Sequence, residues 1–203
     1  MSVEMDESSR PERGEREPGP ITTDRGYGSP LSRGRQLTWG PLTAFGLAVA
    51  AVTLVLDQAS KLWLLYVYRL GEKGAVHILP GMDFVLTWNR GISYGLFQQD
   101  SALGRWFLVA MMAVAVVAFW VWLAGATTRL TAVALGLVIG GAIGNGIDRA
   151  AYGAVVDFVF LYVNSPQFSF GWYVFNLADA AIVAGVVGLL YESLWGHHAA
   201  KAP

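Results

Sequence analysis

The chain has 203 residues, of which 54% are hydrophobic and 14% charged, against about 25% charged in an ordinary soluble domain, so a membrane protein is indicated. A net charge of −1 offers nothing to nucleic acid. There is no cysteine, and two of the three histidines, His197 and His198, sit in the C-terminal tail; this excludes disulfides, thiol nucleophiles and cysteine-bound metals, and no multi-histidine metal centre or cofactor is expected.

Residues 1–38 hold six Arg and seven Asp/Glu among many Gly, Pro and Ser. Such a segment buries too little apolar surface to offset chain entropy, and a disordered tail is expected. Its acid-rich start lacks the basic and apolar regions of a secretory signal. Residues 39–196 then form the expected membrane domain, and 197–203 a second tail. Four apolar runs lie at about 41–66, 106–123, 130–147 and 177–195. About 20 residues cross a bilayer core, so each run reads as a transmembrane helix. The runs are apolar all round rather than striped, unlike the helices of a soluble bundle.

The connections differ. Between the first two runs lie Val67 to Arg105, where Gly and Pro punctuate the β-prone stretches "HIL" and "FVLTW"; a small extramembrane sheet is expected there. "AGATTR" makes a tight turn between the second and third. An aromatic-rich segment between the third and fourth should rest at the bilayer interface. With four spans both termini share one side, and the two long connections share the other. Arg25, Arg33, Arg35 and Arg129 favour cytoplasmic termini, but Arg69, Lys73, Arg90, Arg105 and Arg149 lie on the opposite side, so charge alone does not orient the chain.

Nearly every unusual polar residue falls on the side opposite the termini. Asp57 and Lys61 are four apart and share a helix face, with Lys61 read as pairing with Asp57 while snorkelling to the headgroups. Asp57 lies sixteen residues past Pro41, roughly 24 Å along a helix, inside the span. An acid there costs about 3 kcal/mol on insertion scales. Gly136, Gly140 and Gly144, spaced by four, suit close helix approach. Asn145 and Arg149 also share a face, and Asp148 beside Arg149 could be an ordinary interfacial pair. Asp157 sits in the apolar "AVVDFVF", and Asp179 follows 22 residues later. Asn176 and Asp179 read as an N-cap and its N3 acid. Capping accounts for one acid but not for the gathering of Asp57, Asn145, Arg149, Asp157, Asn176 and Asp179. Two facing carboxylates can share a proton, one activating water while the other protonates a leaving amine. That is aspartic peptidase chemistry, with a small ion-coupled transporter as the alternative and a purely structural membrane subunit behind it.

"DQASK", "NRG", "GNGIDR", "VVDF" and "FNLAD", in that order on four spans, resemble lipoprotein signal peptidase, also called signal peptidase II, over roughly Leu42 to Trp195. The resemblance implies a membrane all-α fold: a four-transmembrane-helix bundle, with a small extracytoplasmic β-cradle after the first helix and an interfacial helix between the last two. It implies an aspartic endopeptidase of the bacterial cytoplasmic membrane. Its substrates would be diacylglyceryl-modified prolipoproteins, cut just before the lipidated cysteine. Catalysis would fall to Asp157 and Asp179, with support from Asp57, Lys61, Asn89, Gly91, Asn145, Arg149 and Asn176. The termini would be cytoplasmic and the site near the outer face. Membrane lipids are the other expected partners, and a monomer is expected. Where the family usually has two alanines after Asn-x-Gly, this chain has Ile92 and Ser93, and a slightly altered pocket rim is expected.

Overall fold

The computed structural model describes residues 38–91 and 101–199, with side chains as far as Trp195. The expected disordered tail, except Thr38, and the pair Ile92 and Ser93 lie outside the described residues. Among the described residues, four helices are long and apolar enough to cross a membrane. Helix α1 runs Thr43–Leu62 and continues as a π-helical turn, Trp63–Val67, closed by Tyr68 N–H donating to Trp63 O at 2.8 Å. A one-turn helix α2 (Leu70–Lys73) leads into strands β1 (Val76–Leu79) and β2 (Met82–Asn89). Helices α3 (Ala102–Ala124) and α4 (Arg129–Tyr152) follow, then strands β3 (Val155–Ser165) and β4 (Phe168–Gly171), and finally helix α5 (Leu177–Ala199).

The helix ends follow from local chemistry. The side chains of Ser101 and Thr128 cap α3 and α4 by accepting from Gly104 N and Thr131 N. Helix α4 runs past the expected stop at 147 because its polar last turns are taken up by partners inside the protein. It ends at Gly153, whose φ of 77° suits a residue without Cβ.

Helix α4 is the central post, packed by α1, α3 and α5. Gly136, Gly140 and Gly144 allow the close helix approach expected of them, and the helix they face is α1. A Cβ at Gly136 would collide with Gly46 O and Val49, and one at Gly140 with Ala50 O and Thr53. In a bilayer, where lipid is as apolar as Leu, this close packing is what holds helices together. Gly140→Val is therefore expected to cost about 1–3 kcal/mol through overpacking, seen as a lower thermal unfolding midpoint in detergent.

The expected strands after the first span form, but the sheet is larger than expected. It has four antiparallel strands in the order β1-β2-β3-β4, so each of the two long connections supplies half. The interfacial helix expected between the last two spans is not there. Residues 155–171 are instead mainly β3 and β4, because the alternating run "FVFLYVNS" finds an unpaired edge in β2. This pairing positions the site: Thr87 lies opposite Asp157, and Asn89 opposite Val155. Phe175 then bridges back to Val159, its N–H donating to Val159 O at 3.0 Å. That bridge delivers Asn176 and the start of α5 to Asp157.

Candidate active site

Asp57, Lys61, Asn89, Gly91, Asn145, Arg149, Asp157, Asn176 and Asp179 converge on one polar cluster where α1, α4, β2, β3 and α5 meet. Asn176 is its hinge. Its Nδ2 donates to Asp157 Oδ1 at 2.6 Å and to Asn145 Oδ1 at 3.1 Å, while its Oδ1 accepts from Asp179 N at 2.9 Å. Asp179 Oδ2 in turn accepts from Asn176 N at 3.3 Å, completing a capping box with an Asp in the N3 place. Asn145 Nδ2 donates to Asp179 Oδ1 at 2.8 Å. Two amides thus tie Asp157 and Asp179 into one hydrogen-bonded unit. Asp157 is fully buried, whereas Asp179 is only half-buried and keeps access to the surface.

Asn89 completes the hold on Asp157, donating from Nδ2 to Oδ2 at 3.1 Å. Its own Oδ1 accepts from Gly91 N at 3.0 Å, a local turn, and Arg149 Nη2 donates to Gly91 O at 2.7 Å. Arg149 also reaches Asn145 O at 3.4 Å. Arg149 therefore fixes the turn that carries Asn89. Burial pushes the Asp157 carboxyl up to about 7, and the Asp179 charge adds to the rise. Hydrogen bonds from Asn89 and Asn176 and the Lys61 charge oppose it.

Behind this unit lies an ionic cluster built on Lys61. Snorkelling is overturned: the Lys61 side chain is only 2% exposed and its ammonium points inward. Its three donors meet Asp57 Oδ2 at 2.8 Å, Asp148 Oδ2 at 2.8 Å and Asn145 Oδ1 at 3.0 Å. Asp148 is thus the partner of Lys61, and the simple pair with Arg149 is corrected. Gln58 Nε2 clips the two acids together, at 3.1 Å from Asp57 Oδ2 and 3.0 Å from Asp148 Oδ1. Each acid uses another lone pair on a backbone N–H next to an aspartate of the front pair. Asp57 Oδ1 accepts from Ala178 N at 2.9 Å, and Asp148 Oδ2 from Val156 N at 3.1 Å. Gly144 leaves the room this needs, since a Cβ there would stand 2.5 Å from Asp57 Oδ2.

Neither Asp148 nor Gln58 is expected in the site from the sequence. Asp148 carries a usable signal, because it is three residues after Asn145 on a helix and so shares its face. Gln58 carries no comparable signal.

Four apolar spans capped on one side by a sheet, with paired carboxylates held where the two meet, define a polytopic membrane protein with a polar centre of enzyme type. The fold matches a solved structure described as a bacterial membrane enzyme, with TM-score 0.62 and 22% identity over 78% of this chain and 92% of that one. A second structure so described matches with TM-score 0.60 over 78% and 97%.

The chain belongs to the signal peptidase II family: residues 49–195 match the family model described as signal peptidase (SPase) II. It is 57% identical over 158 residues to the lipoprotein signal peptidase of Nitrobacter hamburgensis, covering 78% of this chain and 96% of that protein. It is likewise 57% identical over 155 residues to the lipoprotein signal peptidase of Methylorubrum extorquens, covering 75% and 88%. Membership makes the chain a peptidase of a bacterial, multi-pass membrane type. The alternative reading, an ion-coupled transporter, finds no support in these matches.

Proposed function

We propose that this peptidase is of the aspartic type, with Asp157 and Asp179 as its catalytic residues and diacylglyceryl-modified prolipoproteins as its substrates. The observation that carries the reading is the pair of amides, Asn145 and Asn176, that binds both carboxylates into one unit. Four aspartates, Asp57, Asp148, Asp157 and Asp179, here face two cations, Lys61 and Arg149. The excess of acid favours a dyad that keeps one proton.

The ionised carboxylate takes a proton from a water held between the two as that water adds to the scissile carbonyl. The protonated carboxylate stabilises the developing oxyanion, and the proton taken from the water passes from the first carboxyl to the leaving amine as the C–N bond breaks, which restores the singly protonated dyad. Asn145 and Asn176 keep both carboxylates aimed, and Asn89 and Gly91 form part of the substrate-facing rim. The precursor's signal helix lies among the spans with its acyl chains in the bilayer, so binding energy from both positions the bond. The enzyme works as a monomer with its termini in the cytoplasm and the dyad near the outer face of the cytoplasmic membrane. Arginines at the N-terminal side and at Arg129 support that orientation.

The substrate reading is tested with purified protein in liposomes and a prolipoprotein with or without its diacylglyceryl group. Mass spectrometry is expected to show a cut just before the modified cysteine and no cut of the unmodified precursor. Equal cleavage of both would remove the lipid from the account.

The titration of Asp157 gives a second expectation. Above about pH 7 the dyad loses its remaining proton, so kcat/KM is expected to fall on the alkaline side from about that pH. Asn89→Ala removes a hydrogen bond that favours the charged form of Asp157. The alkaline limb should therefore move to higher pH, and a purely structural role for Asn89 would leave the limb in place.

A further inference from the structure

The sheet has two chemically different faces. Residues opposite one another on neighbouring strands share a face, and so do residues two apart on one strand. Val163 lies opposite Phe170 and Ser165 opposite Phe168, while Trp172 N–H donates to Leu161 O at 2.7 Å. Leu161, Val163, Phe168, Phe170 and Trp172 therefore form one apolar surface, with exposures from 40% at Leu161 to 60% at Val163. Its rings are ordered, Phe168 to Phe170 at 6.3 Å and Phe170 to Trp172 at 6.1 Å between centroids. The other face is mixed: Phe160 stacks on Tyr162 there, at 5.6 Å between centroids, but polar groups surround them. His77 Nδ1 sits 2.9 Å from Asp83 Oδ1, Tyr162 O–H donates to the same oxygen at 3.2 Å, and Ser169 O–H donates to Asn164 Oδ1 at 2.6 Å.

The direction of the apolar face is set at its inner end. Val76, Phe84 and Val159 lie opposite one another in a row on that face. They pack with Leu64, in the last turn of the first membrane span, and with Leu70 just beyond it. The face that begins against the end of a transmembrane helix continues outward, and its residues stay exposed among the described residues. Between Phe158 and Ala178 the sequence contains no charged residue. That leaves nothing for charge pairing with a protein partner, and it matches the aromatic, uncharged chemistry of a bilayer interface.

We propose that the β3–β4 hairpin is a membrane-surface anchor. It lies on the leaflet nearest the dyad, with the Leu161-to-Trp172 face among the lipid headgroups and upper acyl chains and the Asn164 and Ser169 face toward water. Asp157 sits at the root of the same strand, so the anchor sets the height of that residue relative to the lipid. The inference rests on the four spans and the sheet, not on the proposed chemistry, and its failure would leave the peptidase reading intact.

The natural absence of cysteine allows a clean test. Single cysteines at Val163→Cys, Phe170→Cys, Asn164→Cys and Ser169→Cys carry a nitroxide label. The labelled protein is reconstituted in phosphatidylethanolamine/phosphatidylglycerol vesicles, and collisions with oxygen and with a water-soluble nickel chelate are read by power-saturation EPR. The ratio of oxygen to nickel accessibility is expected to be several-fold higher at 163 and 170 than at 164 and 169. Equal, nickel-accessible labels on both faces would mean that the hairpin stands in water and would overturn the proposal. Labels at 163 and 170 shielded from both reagents, with spin–spin broadening that fades on dilution with unlabelled protein, would also overturn it, placing a second copy on this face.

Discussion

Asp157→Asn and Asp179→Asn are each expected to lower kcat by about 10³-fold or more, since under the proposed mechanism each removes one half of a general acid–base pair. KM should change little. The amide is nearly isosteric, and the spans that hold the substrate are untouched. An amide in place of the Asp157 carboxylate keeps an oxygen to accept from Asn176 Nδ2. One in place of the Asp179 carboxylate keeps an oxygen for Asn145 Nδ2; each variant gives up only the contact to the other oxygen, from Asn89 Nδ2 or Asn176 N. The double variant should be no slower than the single ones, because the two carboxylates act as one unit. A stepwise loss, each change multiplying the other, would mean that the two work separately.

The second large effect is on stability. Lys61→Met removes the ammonium that faces both Asp57 and Asp148 and leaves two buried carboxylates without that counter-charge. Breaking a buried ion pair from one side costs about 3–5 kcal/mol, so the thermal midpoint in detergent should fall sharply. The triple variant Asp57→Asn, Lys61→Met, Asp148→Asn should recover much of that loss, because the unpaired charges are gone and each amide oxygen can still accept from Ala178 N or Val156 N. Recovery would separate charge burial from loss of packing. If the triple variant unfolds as early as Lys61→Met alone, packing of the lysine stem matters more than its charge.

The four spans are legible because all-round apolarity over about 20 residues is a local property. The stretches "HIL" and "FVLTW" also read correctly as strands, since Gly and Pro mark their ends. Strands β3 and β4 are harder to see. Their segment is apolar on one face and mixed on the other, with aromatic residues on both, and only a partner from a loop some 70 residues earlier shows that it belongs to a sheet. The expected interfacial helix comes from resemblance, and the strand-like alternation of residues 158–165 outweighs it.

The polar residues show the same division. Asp57 and Lys61 read as a pair from their spacing alone. That Lys61 turns inward is hidden, because it depends on Asp148 and Asn145 arriving from a different helix. The capping box of Asn176 and Asp179 is local and legible. Its connection to Asp157 depends on the bridge from Phe175 to Val159, which is not.

The most direct test of the central claim compares the four aspartates of the buried cluster in one assay. Wild type and Asp57→Asn, Asp148→Asn, Asp157→Asn and Asp179→Asn are reconstituted in liposomes, and binding and cleavage of a diacylglyceryl-modified prolipoprotein are measured separately on folded protein. The account predicts that the Asp157 and Asp179 variants bind substrate but do not turn it over, while the Asp57 and Asp148 variants retain measurable cleavage. Full cleavage by either the Asp157 or the Asp179 variant would contradict it.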